Sequence, residues 1–183
     1  MSVILIRHGQ TRGNLQGRYI GCRTDEPLCA EGELALRAGV YPPADRVYIS
    51  PLLRCAESAR IIYPDITPVA IDGFRECDFG AFEGRNYAEL NGRADYQAWI
   101  DSGGEMPFPS GESRATFAAR CVRAFEALDL FACEGDSALV VHGGTIMAIM
   151  EAYARPSGGY FDYQVKCGRG YLLHPDGAYE PIG

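Results

Sequence analysis

Three short, largely apolar runs along the chain have the composition of buried β-strands. They are Val3–Ile6, Arg46–Ile49 and Ala138–Val141, which are rich in β-branched residues and bounded by glycine, serine or proline. A weaker strand is predicted over Ile66–Ile71, because Pro68 interrupts that run. The tail from Tyr160 to His174 is expected to form one or two strands around its glycines.

Helical patterns lie between these strands. Ser113–Leu128 repeats apolar residues at helical spacing, and Asn86–Ile100 predicts a helix with a weak point at Gly92. Ser50-Pro51 is expected to open a helix as N-cap and first helical residue, and Pro64 to end it. A last helix is predicted from Thr145 to about Arg155.

The alternation of strands and helices predicts an α/β fold with a layered architecture and a mainly parallel sheet. The chain has 183 residues, which suits one domain over 1–183. Residues 101–112 are rich in Gly and Pro, and we interpret them as a functional loop within that domain.

Composition excludes several classes of protein. The net charge of −7 argues against a nucleic-acid partner, and no apolar run has the ~20 residues of a membrane span. Seven cysteines without a CxxC pair, and only three histidines, predict neither a disulfide framework nor a zinc site. Free thiols and the lack of a recognisable signal peptide predict a cytoplasmic protein.

Two strands end in a histidine followed by glycine. Val3–Ile6 leads into Arg7-His8-Gly9, and Ala138–Val141 leads into His142-Gly143-Gly144-Thr145. Ligands of open α/β sheets bind at the carboxyl ends of parallel strands, and a helix start offers free N–H groups to an anion. The pattern therefore predicts an anion site between the two histidines, although a single histidine there is more often a core residue.

Arg54 lies in the first turn of the helix that Ser50-Pro51 opens, where a cation opposes the helix dipole. An anion at that helix start would explain it, and a solvent-exposed side chain is the alternative. Arg7, Arg54, His8 and His142 could enclose one phosphate, with neutral His8 as nucleophile. The leaving group needs a proton, and spacing leaves Glu76, Asp78 and Glu83 open as its donor.

The run LIRHGQTRGN at 5–14 resembles the signature of the histidine phosphatase superfamily, the phosphoglycerate mutase-like enzymes. Five further segments match that family in order: GRYIGCRTDEPL, SPLLRCAESA, FRECDFGAFEG, PSGES and VVHGGT. The resemblance implies a three-layer α/β/α sandwich with a central mixed sheet, and no metal or organic cofactor. Some positions depart from the usual pattern, namely Gln10, Cys29 and Cys55, and none of them is a catalytic group.

The resemblance also implies roles for individual residues. His8 is phosphorylated during turnover, Arg7, Arg54 and His142 complete the phosphate pocket, and Glu76 is the proton donor. Substrate-binding contributions are expected from Asn14, Gln10, Thr11, Arg18, Gly21, Gly143 and Thr145.

The implied function is hydrolysis of a small phosphomonoester, with a phosphoglycerate mutase, a broad-specificity sugar phosphatase and a non-catalytic phosphate-binding module as alternatives. Only 65 residues separate Glu76 from His142 and 41 follow it, which looks too compact for a mutase. The motif segments are most similar to the α-ribazole phosphatase branch of cobalamin synthesis. Phe82, Tyr87, Trp99 and Phe108 could then form an aromatic lid over a benzimidazole, or pack in the core.

Overall fold

The computed structural model describes residues 1–183, and a six-stranded mixed sheet forms its centre. The strands are β1 (Val3–Arg7), β2 (Arg46–Ile49), β3 (Val69–Ala70), β4 (Ser137–Val141), β5 (Gly170–Leu173) and β6 (Tyr179–Ile182). Their order across the sheet is β3-β2-β4-β1-β5-β6. Strands β1 to β4 pair in parallel, and β5 pairs antiparallel with both β1 and β6, which confirms the mixed, mainly parallel sheet.

Seven α-helices accompany the sheet. They are α1 (Arg12–Leu15), α2 (Ala30–Ala38), α3 (Leu53–Ile62), α4 (Tyr87–Leu90), α5 (Ala94–Asp101), α6 (Arg114–Glu126) and α7 (Gly143–Tyr153). Short 3-10 turns occupy Asp72–Phe74, Gly80–Phe82 and Tyr160–Tyr163. None of the helices combines the length and the hydropathy that crossing a bilayer requires.

Alternating side chains of the central strands bury the two faces of the sheet. Val3 and Leu5 pack with α6 and α7 on one face, whereas Ile4 and Ile6 pack with α3 on the other. All four side chains are fully buried, as expected of a strand covered by helices on both sides. This arrangement confirms the three-layer α/β/α sandwich.

Several predicted element boundaries were wrong. Asn86–Ile100 is two helices, because Gly92 adopts a φ of +83° and breaks the chain between α4 and α5. Helix α3 begins at Leu53 without a side-chain cap from Ser50, and α7 begins two residues before Thr145. The tail forms one strand and a 3-10 turn over Tyr160–His174, followed by β6, which was not predicted.

Candidate active site

His8 and His142 meet at the carboxyl edge of the sheet, as their positions after two strands predict. Strands β1 and β4 are parallel neighbours with Arg7 opposite Val141, so both chains reach the edge at the same level. The two imidazole ring centroids lie 5.2 Å apart, and both side chains are buried. The structure therefore brings the two histidines together at one place, as an anion site between them requires.

His8 is held with one ring nitrogen free. Its Nδ1 lies 2.7 Å from the carbonyl oxygen of Gly9, which can only accept, so Nδ1 carries the proton and Nε2 keeps its lone pair. Burial, and then the nearby Arg54 and Arg7 guanidinium groups, hold the pKa of His8 well below its usual value. The imidazole is therefore neutral at neutral pH.

Arg54 is fully buried, so the solvent-exposed alternative is wrong. Its guanidinium donates to the carbonyl oxygens of Ile20, Gly21 and Thr24, at 3.4, 3.2 and 2.9 Å. Asp25 occupies the start of α3 instead of an external anion, accepting from the Leu53 amide at 2.6 Å.

Arg7 approaches the same site from β1. It donates through one terminal nitrogen to the carbonyl oxygen of Val165 at 2.7 Å. The Nε atoms of Arg7 and Arg54 are both buried and have no partner within the protein. A buried unpartnered donor is costly, and a phosphate oxygen is an acceptor that fits it well.

Glu76 is the one acid of the three candidates that lies at the site. Its Oε2 is 3.7 Å from His142 Nδ1, and its Oε1 accepts from the Cys77 amide at 2.9 Å. Burial raises the pKa of Glu76, against the opposing effect of that amide and of Arg54, Arg7 and Arg120. Asp78 instead pairs with Arg23, and Glu83 accepts from the Gly21 amide, so neither faces the histidines.

The start of α7 closes the site. Gly143, Gly144 and Thr145 form the first turn, whose amides have no partner within the helix. A Cβ on Gly144 would lie 2.7 Å from the Phe117 ring and 3.2 Å from Glu76 Oε1, so only glycine lets this turn approach the acid. His142 is neutral as well, because burial and then Arg54 lower its pKa.

Of the predicted substrate-binding residues, three line cavities and the other four pack against neighbouring parts of the protein. Asn14 and Arg18 line a cleft that reaches Arg7 and Glu76, and Gln10 lines an adjoining cavity that also reaches Arg7 and Asn14. Gly143 packs beside the Arg7 side chain, whereas Gly21 contacts Cys77 and Glu83. Thr11 and Thr145 are fully buried. Thr11 is the N-cap of α1, and the Thr145 hydroxyl group accepts a hydrogen bond from the Cys121 thiol.

A cleft of about 660 Å³ opens from these groups towards α5 and α6, and its wall is largely apolar. Trp99 stacks on Phe108 with ring centroids 4.9 Å apart, and Tyr19 and Phe79 complete the aromatic wall. Phe82 is fully buried beneath the wall. Tyr87 is 66% exposed and does not line the cleft.

Comparison with known proteins fixes the family. The family model described as "Histidine phosphatase superfamily (branch 1)" matches residues 3–172. This chain belongs to that superfamily. It is therefore an enzyme of the phosphatase class.

Relatives of this histidine phosphatase differ in what they act on. This chain is 31% identical over 162 residues to 2,3-bisphosphoglycerate-dependent phosphoglycerate mutase 2 of Gloeobacter violaceus, and the match covers 81% of this chain and 73% of that protein. It is 27% identical to the adenosylcobalamin/α-ribazole phosphatase of Salmonella typhimurium, covering 92% and 87%.

A solved structure confirms the fold of this histidine phosphatase. The crystal structure of a candidate α-ribazole-5'-P phosphatase from Escherichia coli K-12 superposes with a TM-score of 0.84. The two chains are 24% identical, and the match covers 99% of this chain and 94% of the other.

Sequence reasoning missed some residues of the histidine phosphatase site. Ser58 accepts from the Gly9 amide at 2.8 Å and donates to the Arg54 carbonyl oxygen at 2.6 Å, joining the His8 loop to α3. Ser50 Oγ lies 2.7 Å from His142 Nε2. Arg114 lines the cleft and stacks on Tyr160 and Phe161. Ser50 and Ser58 stand in the SPLLRCAESA segment and Arg114 follows PSGES, but no role at the site was assigned to them, and only their spatial neighbours reveal it.

Proposed function

We propose that this histidine phosphatase hydrolyses a small phosphomonoester through a phosphohistidine on His8, without a metal ion. The observation that carries the proposal is the neutral His8, whose Nε2 lone pair is free, near two arginines whose Nε atoms are buried without a partner. Neutral imidazole is a competent nucleophile, and the arginines would neutralise charge on the transferring phosphoryl group.

The first chemical step forms a nitrogen–phosphorus bond. His8 Nε2 attacks phosphorus, the bond to the ester oxygen breaks, and Glu76 gives its proton to the leaving alkoxide. The raised pKa of Glu76 supports this role, because it favours the protonated carboxyl group that the step consumes. Arg7, Arg54, His142 and the α7 amides would hold the non-bridging oxygens throughout the step.

The second step restores the enzyme. Water attacks the phosphohistidine, the ionised Glu76 takes a proton from that water, and the nitrogen–phosphorus bond breaks. The products are inorganic phosphate, free His8 and a protonated Glu76, ready for the next turnover.

We propose α-ribazole 5'-phosphate as the substrate. Two observations support it: the α-ribazole phosphatases among the relatives, and the aromatic wall of the cleft, which suits a planar leaving group. The cations at the outer cleft are already paired, Arg18 with Glu89 and Arg114 with Glu105. Such a rim favours an uncharged leaving group over the carboxylate of a phosphoglycerate.

The proposal is tested by phosphate release in excess chelator from α-ribazole 5'-phosphate, 3-phosphoglycerate and an aryl phosphate. Wild type should turn over the first substrate best, and His8→Ala should fall to the uncatalysed background because the nucleophile is gone. His174→Ala is the matched control, since the third histidine lies in the tail beside Ser2 and Glu180.

Three outcomes would contradict the proposal in different ways. Turnover above a few per cent in His8→Ala would rule out the nucleophile. Activity lost in chelator and restored by a divalent metal would rule out the metal-free site. Isomerisation of phosphoglycerate without phosphate release would make the enzyme a mutase.

A further inference from the structure

Ser50 makes a contact that its position in the sequence does not suggest. The sequence predicts it as the N-cap of α3, yet its Oγ lies 2.7 Å from His142 Nε2 and α3 starts only at Leu53. Both side chains are fully buried, and the Ser50 amide donates to the Val140 carbonyl oxygen, two residues before the histidine. The backbone therefore holds the hydroxyl group against the ring.

The hydrogen on this contact can be assigned by accounting for donors. Ser50 Oγ has one hydrogen, and the Leu52 amide already points at the oxygen from 3.4 Å. If His142 Nε2 also donated to it, the hydroxyl hydrogen would have only the Cys55 sulfur, a weak acceptor, as a partner. A hydroxyl group that donates to Nε2 avoids that weak contact. It places the single proton of the neutral ring on Nδ1, where no oxygen atom of the free enzyme accepts it.

The other ring nitrogen lies on the side of Glu76. Nδ1 lies 3.7 Å from Glu76 Oε2, too far for a hydrogen bond, and on the side of the ring towards the acid. Phosphoryl oxygens are acceptors only, so a protonated Nδ1 attracts them and an Nδ1 lone pair repels them. The tautomer of His142 therefore decides whether the ring helps or hinders phosphate binding.

We propose that Ser50 is a positioning residue that fixes His142 in its Nδ1-protonated tautomer, so that this neutral ring donates a hydrogen bond to the phosphoryl group. The part of this inference that concerns phosphoryl binding rests on the proposed function. The tautomer itself does not, and it can be measured in the free enzyme.

The test is ¹⁵N NMR of the histidine rings at neutral pH, which distinguishes protonated from unprotonated ring nitrogens. The chain has three histidines, so His174→Gln and His8→Asn assign all signals. Wild type should show His142 with Nδ1 protonated, and Ser50→Ala should shift it towards the Nε2-protonated form. Ser137→Ala is the matched control, because Ser137 is equally buried and its Oγ has no partner.

Kinetics provides the second readout. Ser50→Ala should lower kcat on the order of tenfold to a hundredfold, since a misoriented donor stabilises the transferring group less. Ser50→Thr keeps the hydroxyl group and should restore both the tautomer and most of the rate. A wild-type His142 protonated on Nε2, or an unchanged tautomer in Ser50→Ala, would overturn the inference whether or not the enzyme is a phosphatase.

Discussion

A histidine that attacks phosphorus at neutral pH must keep one ring nitrogen unprotonated and accessible. The Gly9 carbonyl oxygen accepts a hydrogen bond from His8 Nδ1, and burial with Arg54 and Arg7 keeps the pKa of the ring low. Glu76 has the opposite requirement and the opposite shift, because burial raises its pKa. Because the pKa of His8 is lowered and that of Glu76 is raised, the neutral imidazole can act as the nucleophile and the protonated carboxyl group as the acid.

These directions predict the pH–rate profile. The rate should fall towards acid as His8 gains a proton below its lowered pKa, and towards alkali as Glu76 loses its proton above its raised pKa. Glu76→Gln should lose the alkaline limb and slow an alkyl phosphate by roughly 10²–10⁴-fold. An aryl phosphate should be slowed much less, because its leaving group departs without a proton.

Asp78→Asn is the control for that experiment, since Asp78 pairs with Arg23 away from the histidines. This variant should keep both limbs of the profile. An alkaline limb that persists in Glu76→Gln, or an equal loss on both substrates, would assign the acid to another group.

Individual residues of the site were predictable where they stand in a motif. His8, Arg7, Arg54, Glu76 and His142 come together as the family resemblance implies, and spacing alone left the acid undecided. The contacts of Ser50 and Ser58 were not predictable although both stand in the SPLLRCAESA segment, because the partners of a hydroxyl group lie elsewhere in the sequence. Whether Thr11 and Thr145 contact substrate stays a prediction, and their burial favours local structural roles.

At the scale of elements, periodicity located the central strands and the long helices. It missed α2, and it failed at α1 and β6, which have only four residues each, too few to show a period. Asn86–Ile100 kept a helical pattern on both sides of Gly92, and only the positive φ of that glycine shows that the chain turns there.

Helix α6 offers a test at this scale. Ser113 Oγ accepts from the Thr116 amide at 3.1 Å and caps the helix that packs against α7. Ser113→Ala should lower the free energy of unfolding by about 1 kcal/mol in urea denaturation. Ser113→Asp keeps an acceptor at the cap and should stay near wild type; equal stability of the alanine variant and wild type would show that the cap contributes nothing.

At the scale of the whole molecule, the sheet edge and the segment over it supply different parts of the site. The carboxyl ends of β1 and β4 bring the phosphate-facing groups, whereas α5 and the loop leading to α6 bring Trp99 and Phe108. Chemistry and substrate preference are therefore separable. The sequence predicted the catalytic groups well, because motifs contain them. It predicted the substrate-binding wall poorly, because aromatic residues of the core and of the cleft have the same pattern.

Trp99→Ala tests this separation. Loss of stacking should raise KM for α-ribazole 5'-phosphate by roughly threefold to tenfold and leave turnover of a small alkyl phosphate nearly unchanged. Tyr87→Ala removes an exposed aromatic outside the cleft and should change neither substrate. Equal losses on both substrates in Trp99→Ala would show that Trp99 contributes to folding or to the chemical step and not to substrate preference.

The central claim is that turnover passes through a phosphohistidine on His8. The most direct measurement is a rapid quench, under conditions that spare the nitrogen–phosphorus bond, of enzyme with ³²P-labelled substrate, followed by mapping of the labelled peptide. The account predicts an acid-labile label on the peptide that contains His8, and no label in His8→Ala. Label on another residue, or turnover with no label at any time, would contradict it.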